Sequence, residues 1–294
     1  MKNTAKGTVK HSFTVCKRRP ASFLLAAAVY ICAALCAAII LFIVGYIIIK
    51  GVPNIRPSLF EWKYDSQNVS MLPSILNMLI LTGASLLIAV PAGVFAAIYL
   101  SEYARRGNAF VRLIRTTAQT LSGIPSIVYG LFGYLMFCVY FKMGYSALAG
   151  TLTLAIMILP LIMRTTEEAL CAVPDSYREA SYGLGAGKLR TVFKVVLPSA
   201  VPGILSGVIL GTGRIVGETA ALIYTAGTVA SVVTSLWDSG RTLSVHMYAL
   251  LSEGLYTDEA YATAVVLLVA VIIINALSGA VANRIAKKEG KKYT

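Results

Sequence analysis

Charge is what this sequence has least of. Charged residues make up 13% of its 294 residues and hydrophobic ones 57%, where a soluble domain carries about a quarter charged. So sparse a supply cannot dress a water-facing surface, and an ordinary soluble domain is excluded. Acidic residues are the scarcer sign, 13 Asp and Glu against 26 Lys and Arg. Histidine is nearly missing: His11 and His246 stand far apart with no ligand partners nearby, so no metal centre is expected. The five cysteines, Cys16, Cys32, Cys36, Cys138 and Cys171, form no C-x-x-C pair and read as small apolar packing residues. There is no G-x-S-x-G and no H-E-x-x-H. Gly183 to Lys188 superficially resembles a phosphate loop. Tyr182 stands where its first glycine belongs, however, and Leu189 where its Mg²⁺-binding hydroxyl belongs. No catalytic residue and no cofactor of the chain's own is expected.

What lies between the charges is long. Uncharged apolar stretches run over 20–49, 72–99, 116–141, 143–163, 195–213 and 260–283. A helix needs about 20 such residues to cross a bilayer, while barrel strands would be about 10 and alternating. The expected fold is therefore an all-α integral membrane protein with six transmembrane helices. The first stretch exceeds the roughly 7–15 residues of a signal core and is expected to be an uncleaved span. The expected organisation is a basic tail over 1–20, a six-helix domain over 21–284 and a basic tail over 285–294.

The net charge of +13 is distributed as a topology signal and argues against a nucleic-acid partner. Lys2, Lys6, Lys10 and Lys17 to Arg19 precede the first span. Arg105, Arg106, Arg112 and Arg115 fill the second connection; Arg164, Arg178, Lys188, Arg190 and Lys194 fill the fourth; Arg284, Lys287, Lys288, Lys291 and Lys292 follow the last span. With six spans all four groups share one side, so both termini are expected in the cytoplasm, with some contact to anionic lipid. The link 105–115 is expected to start a helix, and 165–194 to be the longest cytoplasmic piece. On the outer side, 224–259 carries a helix-like segment at 243–252 that either dips into the membrane or lies on its surface.

The fifth stretch carries the most information. Ser199, Gly203, Gly207 and Gly211 recur every four residues and share one face of a helix, where small side chains let backbones approach in lipid. Continued as a helix, the same face would hold Arg214 and Glu218. A charge in a bilayer core costs about 2.5–3.5 kcal/mol even on the lenient scale, so such residues line a pathway or pair with each other. The guanidinium fork suits an oxyanion.

The preceding segment reads Glu179-Ala180-Ser181-Tyr182-Gly183-Leu184-Gly185, then nine residues, then Val195-Val196-Leu197-Pro198. It resembles the EAA motif of bacterial ABC-importer permeases, EAA-x3-G-x9-I-x-LP, with Ser181 for the second Ala and Val195 for Ile. Val173-Pro174-Asp175 interrupts the incoming helix, since proline lacks a donor and disfavours helix before it. The stretches 123–133 (GIPSIVYGLFG) and 213–220 (GRIVGETA) are similar to signatures of phosphate-importer permeases, and 164–176 is similar to the A-type subunit.

The resemblance implies a type I ABC-importer permease fold in a bacterial inner membrane, with a cytoplasmic coupling segment over 165–198. It implies that Glu179, Ala180, Ser181, Gly185, Leu197 and Pro198 couple to a separate ATPase, that Arg214, Glu218 and Thr219 line the substrate path, and that Gly203, Gly207 and Gly211 pack helices. The implied partners are a second, homologous permease, two ATPase subunits that bind ATP and Mg²⁺, and an extracytoplasmic phosphate-binding protein. Molybdate, sulfate or an organic solute are alternative cargoes, and a signalling subunit without transport is a further alternative.

Overall fold

The computed structural model describes residues 20–105 and 107–290, and over these the chain is helical without strands. The tail expected at 1–20 lies outside them except for Pro20, as do His11 and Cys16. The tail expected at 285–294 is described as far as Gly290, as helix. The helices are α1 (Pro20–Gly51), α2 (Leu72–Ile98), α3 (Ala109–Ser122), α4 (Ser126–Gly133), α5 (Ala147–Cys171) and α6 (Asp175–Gly183). They continue with α7 (Lys188–Thr191), α8 (Leu197–Val216), α9 (Ala220–Thr225), α10 (Leu243–Glu253) and α11 (Thr257–Gly290). Wide turns extend α2 over Tyr99–Tyr103 and α4 over Tyr134–Tyr140, and another joins α7 to α8 over Val192–Val196.

Local chemistry sets the ends. Asn108 accepts from the Phe110 N–H at 2.9 Å to cap α3, and Ser146 accepts from the Ala149 N–H at 3.2 Å to cap α5. Pro73 sits in the first turn of α2, where its missing N–H costs nothing. Gly254, at φ 72°, closes α10 in the left-handed conformation.

Among the described residues, five helices are long and apolar enough to cross a membrane, or six if one bent pair counts as a span. Helix α5 is the hub, packed between α2 and α8. Leu154, Ile158 and Ile162 are fully buried there, with Leu81 of α2 and Leu222 of α9 joining the first two in one core. The periphery is inverted relative to a soluble protein: Leu41 and Phe42 of α1 are each 72% exposed, as suits side chains that face lipid.

Three expectations are corrected. The stretch 116–141 is not one helix, because α3 and the α4 unit meet at 106°. Pro125 lacks an N–H and disfavours helix at Ile124, and the chain turns there. The fifth span starts earlier than 195: helix is continuous from Lys188 through Pro198, which is tolerated in the first turn of α8. The piece 165–194 is shorter outside the spans than expected, since α5 runs on to Cys171 and helix resumes at Lys188. The segment at 243–252 is helical as α10, and the link 105–115 starts α3. Of the described cysteines, Cys138 is buried and Cys32, Cys36 and Cys171 are exposed; all four are free thiols.

Candidate functional site: a coupling helix and a charged helix end

The segment between α5 and α8 is built as a short unit held at both ends. Pro174 precedes α6, and Gly185, at φ 78°, reverses the chain after it, a conformation that glycine adopts without a Cβ clash. Ser181 is buried, and its hydroxyl lies 2.8 Å from that of Thr191, tying α6 to α7. Glu179, Ala180 and Gly185 are exposed, and Leu184 stands 89% exposed as an apolar knob. A cleft of about 810 Å³ opens beside this unit, and its lining includes Val173, Ala180, Leu184, Pro198 and Gly203. Leu197 and Pro198 are half-buried at the start of α8.

Two ionic links that the sequence did not reveal lie at this end of the molecule, and the first anchors the unit. Arg178 of α6 meets Glu102, just beyond α2, at 2.7 Å, with side chains 15% and 6% exposed. The same guanidinium donates to the carbonyls of Leu170 at 2.9 Å and Val173 at 2.8 Å. The hydrogen bond to Glu102 raises the pKa of Arg178, against the opposing effect of burial. Arg115 of α3 pairs with Glu167 of α5 at 2.6 Å and donates to the carbonyl of Leu100 at 3.2 Å. Glu102 was visible in the sequence only as an acid at the end of a span; nothing local linked it to Arg178.

The glycine face of α8 lies on α5. A Cβ on Gly203 would fall 2.6 Å from that of Ala169; one on Gly207 would overlap the Thr165 hydroxyl; one on Gly211 would lie 3.2 Å from Ile162. These contacts sit at 162, 165 and 169, one stripe of α5.

Arg214 is half-buried in the last turn of α8 and, among the described residues, has no ion-pair partner. The expected helical Arg214–Glu218 arrangement is corrected. Helix α8 ends at Val216 with Gly217 as its cap, and Glu218 lies beyond it. Glu218 is 8% exposed, and its Oε1 accepts from the Ala221 N–H at 3.1 Å, at the start of α9. Thr219 is half-buried and its hydroxyl donates to the Gly217 carbonyl at 3.4 Å. A free guanidinium thus sits beside a chain break in which the acid is engaged with backbone. An Asn in the last span, Asn275, faces the same helix end: a Cβ on Gly213 would lie 3.5 Å from its Oδ1, and that buried oxygen has no donor among the described residues. Asn275 interrupts the apolar run 264–277, which was its signal in the sequence.

No group of three or more metal-ligating side chains occurs among the described residues.

The sequence profile described as "Binding-protein-dependent transport system inner membrane component" matches residues 89–290. The "Probable ABC transporter permease protein YqgI" of Bacillus subtilis is 34% identical over 276 residues, covering 88% of this chain and 94% of that protein. The "Phosphate transport system permease protein PstA" of Mycobacterium leprae is 36% identical over 197 residues, 66% of this chain. This chain spans 64% of that protein's length, just under two thirds. Among solved structures, a bacterial ABC transporter involved in import of the acidic polysaccharide alginate covers 93% of this chain and 98% of its own, with a TM-score of 0.66 at 16% identity. At that identity the likeness is one of fold.

Proposed function

Since this chain belongs to the family of binding-protein-dependent transport system inner membrane components, we propose that it is a permease subunit that carries inorganic phosphate inward across a bacterial inner membrane. The single observation that carries the cargo reading is the unpaired Arg214 at the broken end of α8, in a chain similar to a phosphate transport permease. A guanidinium held at membrane depth without a carboxylate partner is available to an oxyanion, which it meets through two parallel donors. Glu218, held by its bond to the Ala221 N–H, limits how tightly the anion is held, and release requires weak binding. Thr219 follows Glu218 directly in the chain.

In this reading the chain hydrolyses nothing itself. It pairs with a second, homologous permease, takes phosphate from an extracytoplasmic binding protein and is driven by two cytoplasmic ATPase subunits that hold ATP and Mg²⁺. Both termini and α6 lie in the cytoplasm, in keeping with the basic residues on that side. The exposed face of α6, with Glu179, Ala180, Leu184 and Gly185, docks on the ATPase. Its closure moves α6 as a rigid body, and the Arg178–Glu102 and Arg115–Glu167 links pass the motion to α2, α3 and α5.

Uptake of labelled phosphate into vesicles tests the pathway. Arg214→Ala is expected to lower it at least tenfold and Glu218→Ala to change it measurably, with sulfate and molybdate as competing cargoes. Undiminished uptake in both variants refutes the pathway role. Cysteine placed at Leu184 is expected to crosslink to a co-expressed ATPase; failure there and at neighbouring exposed positions refutes the docking role.

A further inference from the structure

A second cluster of unused polar groups lies near the opposite end of α2 from Glu102. Nine buried side-chain nitrogen or oxygen atoms lack a hydrogen-bond partner among the described residues, and four of them belong to two side chains: Nε and Nη2 of Arg241, and Nδ1 and Nε2 of His246. Arg241 is 4% exposed and His246 0%. Both lie against one ring. The Arg241 Cζ sits 4.6 Å over the Tyr64 ring centroid, and the His246 ring meets Tyr64 edge-on at 6.1 Å.

The arrangement is short of negative charge. A guanidinium cannot shed its proton, and no carboxylate lies within 4.0 Å of Arg241 among the described residues. The Tyr64 face compensates only in part. Burial first, and Arg241 second, lower the pKa of His246 to about 3; the Val69 backbone pulls the other way without reaching hydrogen-bond geometry. The imidazole is therefore neutral and adds no charge. Arg241 also stands immediately before α10, whose N-cap residue Thr242 supplies no side-chain cap. The N–H groups of that first turn add partial positive charge at the helix start. A buried cation, a neutral imidazole with free nitrogens and an uncapped helix start lack one thing in common, a compact anion with several acceptor atoms.

We propose that Arg241, His246 and the first turn of α10 form a binding site for a small inorganic oxyanion, separate from Arg214. Tyr64 is its wall. The scaffold around it is fixed: Asn77 donates to the carbonyls of Ser231 at 2.8 Å and Arg241 at 3.2 Å and accepts from the Val233 N–H at 2.8 Å. The site is also tied to the proposed pathway, because Ser244 in the first turn of α10 donates to the backbone carbonyl of Glu218 at 2.6 Å. Filling the site braces the segment that carries Glu218. That the oxyanion is the transported cargo rests on the function proposed above; the site itself rests on this geometry.

The test is thermal unfolding of the full-length chain in detergent, titrated with inorganic phosphate, sulfate or chloride at constant ionic strength. A ligand that binds only the folded state raises the midpoint saturably. Phosphate or sulfate is expected to raise it by about 5 °C at saturation, in the wild type and in Arg214→Gln alike. Arg241→Gln is expected to abolish the rise, and Arg241→Lys to need at least tenfold more anion, because a point charge replaces the fork. The Lys variant keeps the charge, so it reports even if the Gln variant does not fold. An undiminished rise in Arg241→Gln, loss of the rise in Arg214→Gln alone, an equal response to chloride, or no saturable response in the wild type overturns the proposal. A retained rise in a chain that supports no phosphate uptake would sink the transport reading and leave this site standing.

Discussion

Arg178 and Glu102 are 76 residues apart in the chain, yet their side chains meet at 2.7 Å, and the same guanidinium also closes the carbonyl end of α5. Breaking a mostly buried pair by neutralising one partner leaves the other charge uncompensated, at about 3–5 kcal/mol. Glu102→Gln and Arg178→Gln are each expected to lower stability by about 3 kcal/mol, read as the unfolding midpoint in detergent. The exchanged pair, Glu102→Arg with Arg178→Glu, is expected to fail to restore it, because glutamate cannot donate to the Leu170 and Val173 carbonyls. Full recovery in the exchanged pair would show that charge alone matters there.

The contact between Gly207 and Thr165 gives a two-residue test. A methyl on Gly207 overlaps the Thr165 hydroxyl and lies 2.7 Å from its Cβ. Gly207→Ala is expected to cost about 2 kcal/mol as overpacking, and Thr165→Gly in the same chain to return at least about 1 kcal/mol as a coupling energy. Gly183→Ala is the control: nothing lies within 4 Å of its Cβ position, and it is expected to be neutral or slightly stabilising. Additive effects at 207 and 165 would contradict the packing described.

His246 sets a pH dependence whose sign follows from its environment. Its folded pKa, about 3, is below the usual value of 6.5. The unfolded chain therefore takes up a proton at a pH where the folded chain does not. Stability from this group is full above pH 6.5 and is lost as pH falls from there toward 3, at up to about 1.4 kcal/mol per unit. Unfolding midpoints between pH 7.5 and 5 are expected to fall more steeply for the wild type than for His246→Gln. Parallel curves would mean that the imidazole is solvated.

Asn275 is expected to respond to substitution in the opposite direction. Its buried Oδ1 has no donor among the described residues, and an apolar residue of similar volume removes that penalty. Asn275→Leu is expected to raise stability by about 1 kcal/mol in the same unfolding assay. A lower midpoint would mean that the amide holds a partner in the folded chain.

What could be read from the sequence was whatever depends on nearby residues. Spans such as α5 and α11 announce themselves because uncharged length is a local property. The turn into α6 was legible in Val173-Pro174-Asp175 for the same reason. The bend at Pro125 was masked because the apolar run continues through it, and hydrophobicity reports membrane depth rather than direction. Glu218 was misplaced because a helical projection assumes that the helix goes on, whereas Gly217 ends it. The pairs Arg178–Glu102 and Arg115–Glu167 could not be seen, since only the folded chain brings those residues together. Arg241 and His246 were each one polar residue in a mixed loop, and only a shared wall at Tyr64 makes them a cluster.

Helix α1 has none of its most apolar window covered by the rest of the chain. It touches the body chiefly along α11, where Gly51 fits against the Tyr261 backbone and Tyr46 meets the Tyr261 ring at 5.9 Å. Within this polypeptide, then, most of its length answers to the solvent of hydrocarbon rather than to neighbouring side chains. Much of its spelling is free to drift wherever greasiness is kept, whereas at the seam of Gly51, Tyr46 and Tyr261 individual letters matter.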